Sequence, residues 1–372
     1  MTGKERVKAA MTGRQPDRVP YMCQLAVAHF YRAVPMTDWC GIWLDPDRFA
    51  EVEMSLCKRY GMDGVLINIY PSYRTWRSLK HIGRDETRDV VTYADGSTDF
   101  FRADGETSFD WTAARTPGRL YPETFQPDEL AYPQVSRDWY DVLGAFDPEF
   151  VRDHSIHWEV QSPFDHLVEL FGLSEAMVMT LTHPEKVLAV LEKALELQIA
   201  RGRGALRQMV TPDAVKVSSP YVGQSFISPE AYRRFVIPFE SRLVSALKEQ
   251  APEVPVYLHT CGALDDRLEL ALESGYDGIE CLDPPPLGNV ELKDAAVRLA
   301  GSAWIKGNLD SVNLLTPGDR DQIEREVRRC LAVGMSHKPG YILSTACSTA
   351  PTTRPETMEF IHELVEKYGY YS

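Results

Sequence analysis

The sequence lacks the features that would connect it to a membrane, to nucleic acid or to an oxidising compartment. No apolar run approaches the ~20 residues that a membrane-spanning helix requires, and residues Met1–Arg6 are too polar for a signal peptide. The formal net charge is −14, whereas binding to phosphates requires clustered Lys and Arg. The seven cysteines are scattered and odd in number, so they do not suggest a disulfide framework. We therefore expect a cytoplasmic protein that binds neither nucleic acid nor membranes.

The sequence also lacks the glycine-rich motifs of nucleotide-binding proteins. No Gly-x-Gly-x-x-Gly follows the first predicted strand, and no Gly-x-x-x-x-Gly-Lys occurs. Internal repeats, low-complexity segments and a linker to a second domain are absent as well. We expect one domain over residues 1–372, a length that suits a large α/β barrel with an insertion.

The sequence does contain a regular alternation of β-rich and amphipathic segments. Eight β-rich runs are predicted as strands, and they are Tyr21–Val27, Gly64–Ile69, Ser155–Val160, Ala214–Val217, Val254–Leu258, Gly278–Ile279, Ala303–Lys306 and Gly340–Ser344. Each of them except the second is followed by a segment with helical periodicity. Eight strands that alternate with helices predict a (β/α)8 TIM barrel, with a doubly wound open sheet as the alternative.

Helices are predicted at both ends of the chain. Thr2 and Glu5 have the spacing of a capping box at the start of a helix that ends near Met11. The last predicted helix spans Pro355–Tyr368. These two helices would flank the barrel strands in the chain.

The alternation is interrupted after the second predicted strand. From about residue 71 to about residue 150, short β-rich runs are joined by Asp-Gly pairs at 95–96 and 104–105, which are typical of β-hairpins. We predict a β-hairpin-rich insertion that folds over the barrel mouth. Its aromatic residues either wall a substrate pocket or form a small core of the insertion itself, and they are Tyr70, Tyr73, Trp76, Phe109, Trp111 and Tyr121.

One histidine, two cysteines and one glutamate stand at predicted strand ends. His259 and Cys261 follow the fifth strand, where residues i and i+2 of an extended chain point to the same face. Glu280 ends the sixth strand and Cys347 follows the eighth. Barrel enzymes place their chemistry at such carboxyl ends, and one imidazole with two thiolates is a zinc-binding set whose fourth position can stay open for catalysis. The alternative is that His259 and Cys261 are an ordinary buried pair.

Five further polar residues follow predicted strands and are candidates for substrate binding. They are Tyr221, Gln224, Glu159, Asn308 and His29. Any of these side chains could instead satisfy backbone groups of a loop. Cys281, the neighbour of Glu280, is expected to point to the opposite face of its strand, between the barrel and the helices.

Several segments together resemble the uroporphyrinogen decarboxylase superfamily. They are Ser228–Pro238, His259–Gly262, Gly278–Glu280 with Pro284–Pro286, Gly307–Asp310 and Gly340–Ser344, and the resemblance covers nearly the whole chain apart from the insertion. The decarboxylases of this superfamily use no metal and hold a polyacidic substrate with arginines on the first strand and an aspartate after the second. The corresponding segments here, Met22–Val27 and Leu66–Ile69, contain neither arginine nor aspartate.

The cobamide-dependent methyltransferases of the same superfamily resemble this chain in having His-x-Cys and a distant Cys. That resemblance implies that His259, Cys261 and Cys347 bind zinc, with Glu280 as a displaceable fourth ligand and catalytic residue. It also implies a corrinoid (cobalamin), whose cobalt supplies methyl chemistry that side chains cannot. The chain has no Asp-x-His-x-x-Gly element typical of corrinoid carriers, so we expect the corrinoid on a separate carrier protein. Whether the protein is a monomer or a homodimer stays open.

The direction of methyl transfer and the small-molecule methyl donor or acceptor also stay open. The aromatic-rich insertion favours a methyl ether, such as a methoxyarene, that gives its methyl group to cobalt. The alternatives are transfer to a thiol of the coenzyme M type, a metal-free decarboxylase, and a non-catalytic barrel with a structural zinc. Metal content and methyl transfer to free cobalamin would distinguish these functions.

Overall fold

The structure is a computed structural model that describes residues 1–72, 76–84, 88–94, 96, 98–102, 120–132 and 134–371. Its strands are β1 (Gly64–Ile67), β2 (Leu79–Arg84), β3 (Arg88–Tyr93), β4 (Thr98–Arg102), β5 (Ser155–Gln161), β6 (Ala214–Ser218), β7 (Val256–Thr260), β8 (Gly278–Cys281), β9 (Trp304–Leu309) and β10 (Tyr341–Thr345). Seven of them form one parallel sheet in the order β1–β5–β6–β7–β8–β9–β10. The sheet curls into the TIM-type barrel that the alternation predicts.

Helices connect the barrel strands. They are α1 (Gly3–Met11), α2 (Val27–Ala33), α3 (Gly41–Leu44), α4 (Pro46–Arg59), α5 (Asp141–Gly144), α6 (Pro148–Asp153), α7 (Pro163–Phe171), α8 (Leu173–Thr182), α9 (Pro184–Leu206), α10 (Pro229–Phe235), α11 (Ile237–Gln250), α12 (Leu268–Leu272), α13 (Leu292–Arg298), α14 (Arg320–Ser336) and α15 (Pro355–Tyr368). Short 3-10 helices span Pro127–Glu129 and Arg137–Tyr140. Within the described part of the chain, every helix is too short or too polar to cross a lipid bilayer.

The predicted first strand does not form a ladder. Tyr21 makes only an isolated parallel bridge to Leu343, and the chain enters helix α2 at Val27. At its carboxyl end the predicted strand gives way to a helix, because Val27, Phe30 and Ala33 are buried at a spacing of three, which is a helical period rather than a strand period. The segment still closes the barrel, since the N–H of Met22 donates to the carbonyl of Leu343.

Helix α1 closes the amino-terminal end of the barrel. Its predicted capping box is present, because the side chain of Thr2 accepts from the N–H of Glu5 and the carboxylate of Glu5 accepts from the N–H of Thr2. Its apolar face packs into the barrel, and the cluster consists of Val7, Ala10, Met11, Met22, Leu66, Ala214, Tyr257, Trp304 and Ile342. This apolar layer separates the barrel interior from the amino-terminal end.

The insertion after β1 contains the predicted hairpins. Strands β2, β3 and β4 form an antiparallel sheet in that order. The sheet packs on the loop before α3, because the carboxylate of Asp89 accepts from the N–H groups of Trp39 and Cys40. Residue Asp95 of the first predicted Asp-Gly turn and both residues of the second, at 104–105, lie outside the described residues.

Candidate metal centre

Three potential ligand atoms converge at the carboxyl end of the barrel. His259 lies in β7, Cys261 follows β7, and Cys347 follows β10. The Sγ of Cys261 is 3.4 Å from Nε2 of His259 and 3.8 Å from Sγ of Cys347. The structure thus brings together the three residues that the sequence singles out. We call them the thiol–imidazole cluster.

The spacing within the thiol–imidazole cluster fits a tetrahedral zinc ion. With bonds of about 2.3 Å to sulfur and about 2.0 Å to nitrogen, tetrahedral angles separate two sulfur ligands by about 3.8 Å and a sulfur from a nitrogen by about 3.5 Å. The observed separations of 3.8 Å and 3.4 Å agree with both values. A tetrahedral ion with three protein ligands retains one position for substrate or water.

Glu280 lies beside the thiol–imidazole cluster and not among its ligand atoms. Its Oε2 is 3.1 Å from Nδ1 of His259, and its Oε1 accepts a hydrogen bond from Lys306 at 2.5 Å. Both carboxylate oxygens take part in these contacts, so Glu280 does not point its oxygens at the sulfurs, and its role as a fourth metal ligand stays a prediction. Its position is that of a carboxylate that orients a ligand histidine, with Nε2 of His259 directed at the sulfurs.

Two buried lysines hold Glu280 in place, and the sequence analysis missed both. Nζ of Lys216 is 2.8 Å from Oε2 of Glu159, 3.5 Å from Oε2 of Glu280, and bonded to Gln24. Lys216 and Lys306 are both fully buried, and lysine is almost never fully buried unless it is paired. The available signal was a lysine within each of two otherwise apolar strands.

The thiol–imidazole cluster shares its protons unevenly. Burial by itself would lower the pKa of His259, but hydrogen bonds with Cys347 and Glu280 raise it to about 9. Hydrogen bonds from Cys281 and Cys347 hold the pKa of Cys261 well below its usual value. The hydrogen bond to Cys261, together with burial, raises the pKa of Cys347. Because ligands bind a metal in their deprotonated form, a metal ion at this position would displace the protons that the three side chains carry on their ligand atoms.

Cys281 does not follow the alternation expected of its strand. Its Sγ lies within 4.8 Å of Sγ of Cys261 and of a carboxylate oxygen of Asp283, whereas the sequence predicts that it faces the surrounding helices. The backbone explains the difference, because φ is 88° at Cys281 and 53° at Leu282, a region that residues other than glycine rarely adopt. The turned backbone brings a third sulfur next to the thiol–imidazole cluster.

Two of the predicted substrate-binding residues lie near the thiol–imidazole cluster. Glu159 is connected to it through Lys216 and Glu280. Tyr221 is half-buried, and burial, followed by the negative charge of Asp165, raises its pKa. These residues remain candidates for contact with a substrate.

Two others have polar groups that bind other parts of the protein. Gln224 is exposed and accepts from the side chain of Asn289. Asn308 is buried and donates to the carbonyl of Leu282. The first contact connects two loops, and the second connects β9 to the residue that follows β8.

His29 is not at a strand end, because it lies on helix α2. One ring nitrogen is 2.8 Å from Oη of Tyr60 and the other is 3.2 Å from the carbonyl of Thr353. The side chain is fully buried, and burial lowers its pKa to about 4. We therefore correct its assignment from substrate binding to the core.

The aromatic residues of the insertion are divided between the core and the surface. Tyr70 stacks on Trp139 and packs at a tilt against Trp158, with ring centroids 5.1 and 4.9 Å apart. Trp76 and Tyr121 are 37% and 65% exposed. The remaining three, Tyr73, Phe109 and Trp111, lie outside the described residues.

Two kinds of known protein are similar to this chain. A methylated-thiol–coenzyme M methyltransferase of Methanosarcina mazei is 26% identical over 255 residues, which cover 67% of this chain and 65% of that protein. A methylcobamide:CoM methyltransferase of Methanosarcina acetivorans is 25% identical over 189 residues, or 51% of each chain. A uroporphyrinogen decarboxylase of Geobacillus kaustophilus is 30% identical over 188 residues, or 48% of this chain and 49% of that one. The chain thus spans about half to two thirds of the length of these relatives.

The fold and the family are shared over larger parts of the chain. A solved structure of a methyltransferase from Methanosarcina mazei covers 99% of both chains with a TM-score of 0.70 and 18% identity, which shows the same fold. The profile of the uroporphyrinogen decarboxylase (URO-D) family matches residues 156–368, more than half of the chain and all of its barrel from β6 onward. The chain belongs to the uroporphyrinogen decarboxylase family.

Proposed function

We propose that this protein is a zinc-dependent methyltransferase that moves a methyl group between a small molecule and the cobalt of a corrinoid held by a separate carrier protein. The observation that carries the proposal is the spacing of the thiol–imidazole cluster, which fits tetrahedral zinc with one free position. Zinc, when bound, would act as a Lewis acid on an ether oxygen or a thiol of the substrate. The names of two relatives, which are methyltransferases that act with coenzyme M, support the same reaction class.

The residues of the chain would hold the metal and fix its charge. The ligands would be His259, Cys261 and Cys347. Glu280 would accept a hydrogen bond from Nδ1–H of His259, so that Nε2 stays directed at the metal. The lysines that contact Glu280 keep its carboxylate anionic in a buried environment. Two thiolates reduce the net positive charge of the metal, so a bound sulfur or oxygen keeps its electron density.

A methyl ether such as a methoxyarene is the donor that we favour. The rings of Tyr70 and Trp139 are stacked, Trp158 packs against Tyr70 at a tilt of 46°, and the hydroxyl of Tyr70 donates to the carbonyl of Glu159 at 2.6 Å. Planar aromatic surface therefore lies at the carboxyl end of β5, close to the predicted substrate-binding residue Glu159. This arrangement suits a flat apolar substrate.

The second candidate is methyl transfer to a thiol of the coenzyme M type. It is favoured by the names of the same two relatives. A metal-free decarboxylase is disfavoured, because the segment Met22–Val27 that would carry the cationic clamp contains no arginine. The corrinoid carrier is expected to dock at the carboxyl end of the barrel, where the thiol–imidazole cluster lies.

The test is an anaerobic assay of the zinc-loaded protein in both directions. Cob(I)alamin would be incubated with a panel of methoxyarenes, and methylcobalamin with a panel of thiols, while the cobalamin spectrum is followed. We expect turnover in one panel and its loss in Cys347→Ala. Absence of turnover in both panels, with zinc bound and a corrinoid carrier protein supplied, would reject the methyltransferase proposal.

A further inference from the structure

Helix α9 directs three cationic side chains at the insertion, and two of them have acceptors there. Nζ of Lys186 donates to the carbonyl of Pro122 at 2.7 Å, and Nζ of Lys193 donates to the carbonyl of Leu130 at 2.6 Å. Arg201 follows at the next repeat of seven to eight residues, on the same helix face. Among the described residues, no oxygen accepts a hydrogen bond from its guanidinium and no carboxylate lies within ion-pair distance.

The guanidinium of Arg201 contacts an aromatic ring in place of an acceptor. Its Cζ lies 4.1 Å from the ring centroid of Trp139. Stacking uses the face of a guanidinium, whereas its N–H bonds lie in the plane and point outward, so stacking leaves these donors unsatisfied. Nε is buried without a partner in the described structure, and burial lowers the pKa of the side chain. Arg201 is half-buried, and a buried N–H without an acceptor is unfavourable for folding, which indicates that a ligand or water accepts from it.

The polar groups around Arg201 are unpaired in the same way. Within the part of the chain that the structure describes, the hydroxyl of Tyr132 is buried without a hydrogen-bond partner, and so is Nε2 of His166. The two rings meet edge to face with centroids 5.0 Å apart. Tyr70, Glu169 and Tyr132 lie close enough to Arg201 to oppose the lowering of its pKa by burial. Nδ1 of His166 is 3.3 Å from a carboxylate oxygen of Glu169, whose side chain is half exposed at the edge of this group.

We propose that the space between Arg201, Tyr132 and His166, which we call the cleft, binds the carboxylate of a small aromatic acid. A carboxylate only accepts hydrogen bonds, so it complements the planar donors of Arg201 and the hydroxyl of Tyr132. The stacked rings of Tyr70 and Trp139 provide a flat surface for an aromatic body.

The cleft adjoins the candidate metal centre. Tyr70 donates its hydroxyl proton to the carbonyl of Glu159, and the carboxylate of Glu159 contacts Lys216, which in turn contacts Glu280. A substrate anchored at the cleft would therefore lie at the same end of the barrel as the thiol–imidazole cluster. The role as substrate anchor depends on the proposed methyl transfer, whereas the binding of the carboxylate does not.

The experiment is isothermal titration of the full chain with three probes that share one ring. Benzoate and 4-methoxybenzoate carry the anion, and methoxybenzene lacks it. We expect both acids to bind. The affinity for methoxybenzene should be lower by about tenfold or more, because a charge-assisted hydrogen bond is lost. Arg201→Met should weaken benzoate binding by about tenfold or more. Arg207→Met, which removes an exposed arginine directly after α9, should leave it unchanged.

A second variant protects the test against misfolding. Tyr132→Phe keeps the cation and removes one donor, and we expect a loss of about threefold to tenfold in benzoate affinity. Equal affinity of wild type, Arg201→Met and Tyr132→Phe, or no binding of either acid to wild type at millimolar concentration, would overturn the proposal and leave water as the occupant of the cleft. Benzoate binding through Arg201 in a protein without methyl transfer would retain this inference and reject the proposed function. Methyl transfer without binding of either acid would do the reverse.

Discussion

The two ends of the barrel differ in whether their buried polar groups bind one another or converge on a common point. At the amino-terminal end, the carboxylate of Asp63 accepts hydrogen bonds from Arg6, from Arg18 and from the N–H of Tyr21. At the carboxyl end, the thiol–imidazole cluster directs one nitrogen and two sulfurs at a common point. Groups that satisfy one another stabilise the fold, whereas lone pairs that converge are arranged for a ligand. The comparison predicts that substitutions at the two ends change different properties.

The largest expected effect on stability is at the amino-terminal end. Arg18→Met removes a buried partner of Asp63 while Arg6 remains, and we expect the free energy of unfolding to fall by about 3 kcal/mol. Zinc content should not change. Arg152→Met removes an exposed ion pair with Asp153, so chemical denaturation of this control should differ from wild type by less than about 0.5 kcal/mol. Loss of zinc in Arg18→Met, without loss of fold, would contradict the separation of the two ends.

Two histidines sharpen the same comparison through pH. Burial lowers the pKa of His29 to about 4, whereas hydrogen bonds raise that of His259 to about 9. A depressed pKa gives His29 a contribution to stability that is complete above about pH 6.5 and is lost as the pH falls towards 4, in total about 2–3 kcal/mol. His29→Gln should therefore flatten the dependence of unfolding free energy on pH between 6.5 and 4. An unchanged slope would mean that His29 does not titrate in this way.

Local patterns predicted those elements whose signals lie within the element. The capping box of Thr2 and Glu5 is present in α1, and the last helix has the predicted bounds, Pro355–Tyr368. Both are determined by residues within a few positions of each other. The predicted strand at Tyr21–Val27 failed because its place in the barrel depends on Leu343, which is distant in sequence.

The candidate site was predictable in part for the same reason. Strand ends identified His259, Cys261 and Cys347, since all strands of a parallel barrel present their carboxyl ends at one face. The role of Glu280 was not predictable, because it depends on Lys216 and Lys306 from other strands. The position of the Cys281 sulfur depends on positive φ angles at Cys281 and Leu282. Neither residue is a glycine, so the sequence does not indicate them.

Glu280→Gln tests the role of the carboxylate beside the thiol–imidazole cluster. The amide keeps the size of the side chain but holds the Nδ1 proton of His259 less strongly, so zinc affinity should fall by about 10- to 100-fold. Competition with a fluorescent chelator measures this change, and Glu269→Gln on the surface of α12 is the matched control. Complete loss of zinc would instead mean that Glu280 binds the metal directly.

The smallest effect is expected at Cys281. Its thiol lies near the sulfur of Cys261, so Cys281→Ala removes a hydrogen-bond partner of a ligand and should weaken zinc binding by only about threefold to tenfold. Cys330→Ala, a buried cysteine on α14, is the control and should have no effect on zinc affinity. A larger loss than in Cys347→Ala would assign the metal to Cys261, Cys281 and Asp283 instead.

The most direct measurement is zinc X-ray absorption of the metal-loaded wild type beside Cys347→Ser. The account predicts about one zinc per chain, with two sulfur ligands at about 2.3 Å and one imidazole nitrogen at about 2.0 Å in wild type. Cys347→Ser should lose one sulfur ligand, and its affinity for zinc should fall by about 100-fold or more. An unchanged sulfur count in Cys347→Ser, or a wild-type protein that binds no zinc, would contradict the assignment of His259, Cys261 and Cys347 as the metal centre.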